Sequence, residues 1–278
     1  LAREDVPDGG LEAYGAASIR YGSDYIIPKP FDERVLLWVA PAVAEAAMAT
    51  GVAREHLDLR EYRERLERLL GPRRQVMRKM IHIAQQGPTR QRLVLPEGEE
   101  DKVLRAAQIL LDERIAQPIL IGDPARIQER VAQLDLDILG AGGAVVVHPP
   151  NSPLLERYIP ALWQMRQRKG VTLVEARKLL TRSRNHFGMM MLALGDADGV
   201  VSGLTMSYSE TIRPALQIVG LERGVRFAAG MYVMILKNDV KFFADTTVNI
   251  EPNEEALAEI AIACADATRD LGVEPRVA

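Results

Sequence analysis

Apolar positions change their spacing twice along the chain, and each change marks a different kind of structure. Residues 33–50 are apolar almost throughout, from Val35-Leu36-Leu37-Trp38 to Ala46-Ala47-Met48, a length that suits a helix and exceeds a strand. Asp32 stands where a side-chain cap belongs and Gly51 where the chain must leave the helix. Before it, Ile27-Pro28-Lys29-Pro30-Phe31-Asp32 predicts an extended loop, because each proline drives its predecessor out of the helical region. Leu59, Tyr62, Leu66 and Leu69 then recur at helical spacing behind a capping box of Asp58 and Glu61, and Gly71-Pro72 ends that helix. A second amphipathic helix, with Val76, Met80, Ile83 and Ala84 on one face, runs to Gly87-Pro88.

From Leu93 the rhythm becomes short β runs alternating with helices. Leu93-Val94-Leu95 precedes a helix through Val103, Ala106, Ala107 and Leu110. Pro118-Ile119-Leu120-Ile121 precedes Gly122-Asp123-Pro124, which supplies a cap and a proline for the first helical position. A third run, 144–147, stops at His148-Pro149-Pro150 and is followed by helices near 153–168, 172–182 (Thr172 and Glu175 forming a capping box) and 186–194. Residues 199–201 predict a short buried strand and 209–219 a helix. Strand alternating with helix implies an α/β fold, a mostly parallel, doubly wound sheet. Beyond Val225 the runs 226–229, 231–236 and 241–244 read as neighbouring strands, before a last helix over 253–271.

Composition refines this picture. With 278 residues, 47% hydrophobic and 26% charged, the chain has the balance of a soluble globular protein of one large domain or two. Thirty-five Lys and Arg against 38 Asp and Glu give a net charge of -3, which argues against nucleic acid as a general partner. The longest apolar stretch, 35–44, is short of a membrane span and contains Pro41, so no membrane partner is expected. One cysteine, Cys264, and four histidines exclude an internal disulfide and a Cys/His metal cluster, and a cytoplasmic, reducing location is the expectation. Residues 54–92 depart from the average, with eleven Lys/Arg against five Asp/Glu. That segment reads either as an anion-binding patch or as a solvated helical linker, and the interleaved Glu61, Glu64 and Glu67 favour the linker. No basic-then-apolar leader follows Leu1, and the close at Val273-Glu274-Pro275-Arg276-Val277-Ala278 reads as a strand just beginning, so a piece of a longer chain is expected.

Candidate chemistry concentrates in Gly195-Asp196-Ala197-Asp198-Gly199-Val200-Val201-Ser202-Gly203 and the Thr211-Ile212-Arg213-Pro214 that follows. A strand ending in Ser202-Gly203 sets a hydroxyl and bare backbone at the carboxyl edge of a parallel sheet, where ligands of such sheets bind. The next helix N-terminus attracts anions, and Arg213 offers a bidentate donor for phosphate. The plainer reading is a tight turn and a surface arginine. Arg166, Arg168 and Lys169 before Gly170 form a second cationic group, which also suits a helix C-terminus. Asp245, in Phe243-Ala244-Asp245-Thr246-Thr247 at a strand end, either pins a loop or meets a ligand. Met189-Met190-Met191 reads as core, Cys264 as inert, and His148 as a turn residue. No Gly-x-Gly-x-x-Gly, Walker loop, His-Glu-x-x-His or Gly-x-Ser-x-Gly is present. The residues alone reach an anionic-ligand site and no reaction.

Two stretches resemble known families. Leu93-Val94-Leu95-Pro96-Glu97-Gly98-Glu99-Glu100 with Arg105-Ala106-Ala107, Arg168-Lys169-Gly170-Val171-Thr172, the 195–203 run, Arg213-Pro214-Ala215-Leu216-Gln217, Phe243-Ala244-Asp245, and Glu251-Pro252 with Leu257-Ala258-Glu259-Ile260-Ala261 resemble, in order, the phosphotransacetylase family. Asp24-Tyr25-Ile26-Ile27-Pro28-Lys29-Pro30-Phe31-Asp32 and Val39-Ala40-Pro41-Ala42-Val43-Ala44 are similar to the end of a malic enzyme domain. Together they resemble the join in the bacterial hybrid NADP-dependent malic enzymes. The resemblance implies that 1–53 end a malic enzyme NAD(P)-binding domain, 54–87 form a basic helical linker, and 88–278 are a truncated, two-lobed phosphotransacetylase-like domain.

For the parent the resemblance implies oxidative decarboxylation of malate to pyruvate with NADP and a divalent metal, magnesium or manganese. Its catalytic residues belong to segments before Leu1, and Lys29 is not the catalytic lysine. For the second domain it implies binding of acetyl-CoA or phosphate by Arg166, Ser202, Gly203, Ser207, Thr211, Arg213 and Asp245. Active relatives read Ser-Gly-x-x-His-Ser-Thr-x-Asp-Thr-x-Arg-Pro, whereas this chain has Met206 at the His, Tyr208 at the Thr and Glu210 at the Asp position. A thioether and a phenol among small polar groups suit a site that binds without transferring. The implied role is an acetyl-CoA-responsive regulatory and homo-oligomerisation domain. The alternatives are an active phosphate acetyltransferase and a purely structural dimerisation domain.

Overall fold

The computed structural model describes residues 2, 21–23, 25–28, 32–69, 80–236 and 240–278. Asp24, Lys29-Pro30-Phe31, the Gly71-Pro72 break and Val76 lie outside the described residues. The chain forms two units: a smaller one of Leu1–Lys79, Met231–Thr246 and Leu271–Val273, and a larger one of Met80–Gly230, Thr247–Asp270 and Glu274–Ala278.

The smaller unit holds helix α1 (Glu33–Ala49) and helix α2 (Leu59–Leu69). Asp32 caps α1, its Oδ1 accepting from the Arg34 N–H at 3.0 Å while the Arg34 guanidinium closes on Oδ2 at 2.7 Å. Gly51 follows α1 at φ +72°. Asp58 starts α2 by accepting from the N–H groups of Arg60 at 2.8 Å and Glu61 at 3.1 Å.

The larger unit is built on four parallel strands: β1 (Gln91–Leu95), β2 (Ala116–Ile121), β3 (Val145–Val147) and β4 (Gly199–Val200). They lie in the order β3-β2-β1-β4. Leu93 pairs with Pro118 on one side and Gly199 on the other. Helices α3 (Asp101–Asp112) and α4 (Pro124–Gln133) connect β1 to β2 and β2 to β3. Before β4 come α5 (Leu155–Arg166), α6 (Leu173–Arg182) and α7 (Arg184–Ala193).

Alternation along the strands divides the core in two. Val94, Ile119 and Ile121 pack with Tyr158, Leu162, Leu180, Phe187 and Met190. Leu95 and Leu120, one position along, pack with Leu104, Ala107, Ile127 and Val131 on the opposite face. Period-two side chains with helices on both faces are the doubly wound arrangement. Met189, Met190 and Met191 are all buried in the first cluster, as expected.

After β4 the chain forms helix α8 (Tyr208–Pro214), which passes into a wider π turn over Ala215–Val219. The run 226–229, expected as a strand, is not one. The Arg226 N–H donates to Glu259 Oε2 at 3.1 Å and the Ala228 carbonyl accepts from Asn249 Nδ2 at 2.7 Å, so side chains hold groups that a ladder would need. In the smaller unit β5 (Tyr232–Ile235) pairs antiparallel with β6 (Val240–Phe243) as a two-stranded sheet. In the larger unit α9 (Glu254–Asp270) closes the described fold, with Arg226 paired to Glu255 and Glu259 on it. Among the described residues no helix is long and apolar enough to cross a membrane.

The turn after β1 runs hard against β2. The Gly98 N–H donates to the Ile121 carbonyl at 3.2 Å. A Cβ on Gly98 would lie 2.9 Å from Leu120 Cβ and 3.0 Å from the Ile121 nitrogen, with no flexible group to yield. Gly98→Ala is therefore expected to lower stability by about 1–3 kcal/mol. It should appear as a lower urea midpoint at unchanged slope, and an unaltered midpoint would contradict this packing.

Candidate functional site

Strand β1 leads to β2 on one side while β4 lies on its other side, so the sheet changes direction between β1 and β4. Loops leaving the carboxyl ends of these two neighbours face each other across the crevice where doubly wound proteins hold ligands. The loop after β1 carries Pro96-Glu97-Gly98-Glu99; the loop after β4 carries Val201-Ser202-Gly203-Leu204-Thr205-Met206.

Glu97 joins the two. The residue is 4% exposed. Oε2 accepts from the N–H groups of Gly203 at 2.8 Å and Leu204 at 2.9 Å. Oε1 accepts from the Thr205 hydroxyl at 2.7 Å, the Met206 N–H at 3.2 Å, and the Thr205 N–H. Gly203, at φ +112°, supplies the left-handed backbone that turns successive amides toward one point. Burial alone would raise the Glu97 pKa, but the Thr205 hydroxyl and the Thr205, Leu204 and Gly203 amides outweigh it and hold it at about 2. The nest that this loop could offer a ligand is filled by the protein's own carboxylate.

A second network lies behind the loop. Asn185, in the first turn of α7, is 1% exposed. Its Oδ1 accepts from Ser202 Oγ at 2.8 Å, and its Nδ2 donates to Met206 Sδ at 3.0 Å and to the Glu210 carbonyl at 2.9 Å. That carbonyl is available because the residue four positions on is Pro214, which has no N–H to give it. The helix therefore widens after Pro214, and Asn185 takes the vacated acceptor.

On this side of the loop lies a cavity of about 450 Å³ lined by Arg182, Arg184, His186, Met206, Ser209, Glu210, Arg213 and Pro214, among others. Three arginines give it a cationic wall. His186 Nδ1 faces the Ser183 hydroxyl at 2.8 Å, and burial lowers its pKa. Glu210 is the acidic group. Its carboxylate is turned back, accepting from the Ser207 N–H at 2.8 Å and Ser207 Oγ at 2.7 Å, and these bonds, the hydroxyl first, lower its pKa.

The residues expected at the site are thus placed as follows. Ser202, Gly203 and Thr211 are brought together, a Cβ on Gly203 lying 3.8 Å from Thr211 Oγ1. Ser207 caps α8 through its box with Glu210, so that helix terminus is closed by its own side chains. Arg213 lines the cavity; Arg166 ends α5 and does not. Asp245 follows β6 in the smaller unit, after a cis Ala244–Asp245 peptide. Of the aspartates of the 195–203 run, Asp198 braces the sheet and Asp196 ties to α5. Asp198 accepts from the Arg92 N–H at 2.7 Å and pairs with its guanidinium at 2.8 Å, which holds the Asp198 pKa at about 2; Asp196 accepts from Tyr158 Oη at 2.5 Å.

Sequence reasoning missed Asn185, Arg182, Arg184 and His186, and met Glu97 only inside a family motif. The available signals were an asparagine inside an apolar helix and a glutamate between Pro96 and Gly98 at a strand end.

Residues 75–278 match the phosphate acetyl/butaryl transferase family. The chain belongs to that family. The match covers both site loops and the cavity between α7 and α8. EutD phosphotransacetylase from Staphylococcus aureus superposes with a TM-score of 0.66 at 32% identity, over 73% of this chain and 59% of that one. A phosphate acetyltransferase of Nitratidesulfovibrio vulgaris is 41% identical over 189 residues, 68% of this chain and 26% of the relative. An NADP-dependent malic enzyme of Escherichia coli is 37% identical over 279 residues, 100% of this chain but only 36% of the relative. The chain spans about a third of the length of such malic enzymes. Similarity to them includes the residues before 75, ahead of the transferase family match.

Glu97 provides the test of this geometry. Glu97→Gln replaces an acceptor of five hydrogen bonds by an amide whose NH2 faces N–H donors, and a loss of about 2–4 kcal/mol is expected. The pKa of Glu97 is depressed in the folded state, from an ordinary 4.5 to about 2. Its stabilisation is therefore complete above the ordinary value and is lost as pH falls toward the folded-state one. Urea titrations from pH 6 downward should show this acid sensitivity in the parent and a shallower fall in Glu97→Gln.

Proposed function

We propose that this chain belongs to an NADP-dependent malic enzyme that oxidises malate and releases pyruvate and CO2, and that its transferase-like domain binds acetyl-CoA as a regulatory signal. The single observation that carries the reading is similarity to malic enzymes along the entire chain, through the transferase family match and the residues ahead of it. NADP and magnesium or manganese are the cofactors of the parent reaction. Among the described residues no three His, Cys, Asp or Glu side chains are grouped to hold a metal ion, so no metal-dependent step is assigned to them. A homo-oligomer, dimer or larger, is part of the proposal, with this domain as its contact.

The hydrogen bonding around Ser202 supports binding without transfer. Acyl transfer needs a group that takes a proton from the attacking atom and returns it to the leaving one. Here the Ser202 proton points to Asn185 Oδ1, and the Asn185 amide protons go to a thioether and a backbone carbonyl. Neither Met206 nor Asn185 titrates near neutral pH, and His186 faces Ser183. The arginine wall meanwhile suits the phosphate groups of an acyl-CoA, for which guanidinium is the matching donor. Ser202, Gly203, Thr211 and Arg213 are the residues assigned to this effector; Ser207, first expected among them, is taken up by its capping box with Glu210.

The second reading is an active phosphate acetyltransferase, favoured by the retained Ser202, Gly203, Thr211 and Arg213. In the full-length enzyme, acetyl-CoA is expected to change malate-dependent NADPH formation several-fold, and Arg213→Ala to raise the acetyl-CoA concentration required about tenfold. Phosphate-dependent release of CoA thiol from acetyl-CoA should be absent in the parent and appear only with Met206→His and Tyr208→Thr combined. Thiol release by the parent, with malate kinetics indifferent to acetyl-CoA, would establish the second reading instead.

A further inference from the structure

Two glutamates leave the end of β1 close together, and their surroundings differ in one respect. Glu97 is held by five donors from a single loop. Glu99, whose side chain is 12% exposed, takes its partners from three places. Oε1 accepts from the Asp123 N–H at 2.8 Å, ahead of α4, and from the Arg184 guanidinium. Oε2 pairs with Arg126 at 3.1 Å. Removing Arg184 would leave Glu99 with an amide and a second guanidinium, so its charge stays compensated. Arg184 is also one of the three arginines of the 450 Å³ cavity. Arg182 and Arg213, the other two, carry no ion pair among the described residues.

We infer that Glu99 is an internal competitor for the anion site, keeping the Arg184 guanidinium of the cavity wall paired until a phosphate-bearing ligand draws it away. The inference rests on the proposal that this cavity takes an anionic effector, and it adds what sets the affinity. An entering anion meets two unpaired guanidiniums at once and must win the third from a carboxylate. A phosphate or diphosphate has the charge and the several acceptor oxygens to do so; a monoanionic carboxylate, matching Glu99 charge for charge, has no such advantage. Glu99 also lines the neighbouring cavity with Arg126, Leu204 and Thr205, so the exchange at Arg184 alters the charge balance there as well.

Calorimetric titration of the protein with inorganic phosphate, pyrophosphate and acetate tests this. Glu99→Gln should bind phosphate and pyrophosphate about tenfold more tightly (about 1.4 kcal/mol). Arg184→Ala should bind them about tenfold more weakly, and acetate should respond little to either change. The decisive measurement is Glu99→Gln in the Arg184→Ala background, where the gain must vanish because nothing is left to release. Should Glu99→Gln not fold, Glu99→Asp, which draws the carboxylate back from Arg184, must tighten binding in the same sense. No gain from the Glu99 change, or an equal gain with and without Arg184, overturns the competition while leaving the anion site standing. Binding that ignores both Arg184→Ala and Arg213→Ala, or no binding by any variant, removes the site itself. Binding by Glu99→Gln alone supports the competition in its strongest form.

Discussion

A buried carboxylate survives in a protein only where hydrogen-bond donors replace the water it has lost, and at Glu97 those donors all come from one short loop. The bond set works in both directions. It keeps the glutamate ionised, and it folds residues 203–206 into a curve they would not hold unaided, since four consecutive amides aimed at one point repel one another without an anion. Ser202 and Met206 bracket that curve, so the hydrogen bonds to Asn185 depend on a charge contributed by a different strand. Because β1 and β4 are adjacent and parallel, the carboxylate and its nest emerge at the same edge of the sheet.

The crevice is thereby divided. On one side of the loop lies the cavity with the arginine wall, and on the other a cavity of about 670 Å³ in which Glu99, Glu100, Asp101 and Glu129 face Lys102, Arg126 and Arg130. Cationic excess against near balance is a sharp contrast over so short a span. Arg184 and Glu99 make their ion pair across it, while Glu97 keeps the partition fixed. An amide nest around an anion and an ion pair shared between elements are different devices built from the same residue type, distinguished by how many independent elements supply each carboxylate's partners.

Much of this was legible in the sequence. Short, continuously apolar runs in Leu93-Val94-Leu95 and Pro118-Ile119-Leu120-Ile121 marked the parallel strands, and Asp32, Asp123 and Thr172 stand as the caps their positions predicted, because short oxygen side chains at helix starts have few other uses; Ser207, expected to meet a ligand, caps α8 instead. Ser202, Gly203 and Arg213 were found as candidates since a strand end rich in small residues is a local signal. Asn185 and Arg184 were not, because their meaning depends on α7 packing beside a loop many positions later in the chain. The run 226–229 failed as a strand for a similar reason: apolar content suggested pairing, but Glu259 and Asn249 bind its backbone from distant positions. Nothing in a local window reports that a side chain elsewhere will occupy a backbone group.

Pro214 and Asn185 illustrate how such dependence constrains change. The proline empties one helical acceptor, and the asparagine fills it. Either residue altered alone leaves a defect: without the proline the restored N–H contends with Asn185 for the same oxygen, and without the asparagine the Glu210 carbonyl and the Ser202 hydroxyl both lose a partner. The two positions therefore form an epistatic pair, in which a double substitution can be milder than either single one. Any histidine placed at Met206 would inherit Asn185 as its neighbour, so a change at that position meets this pair first. Which substitutions this site accepts is thus decided as much by a missing N–H in one helix as by the residues that would touch a ligand.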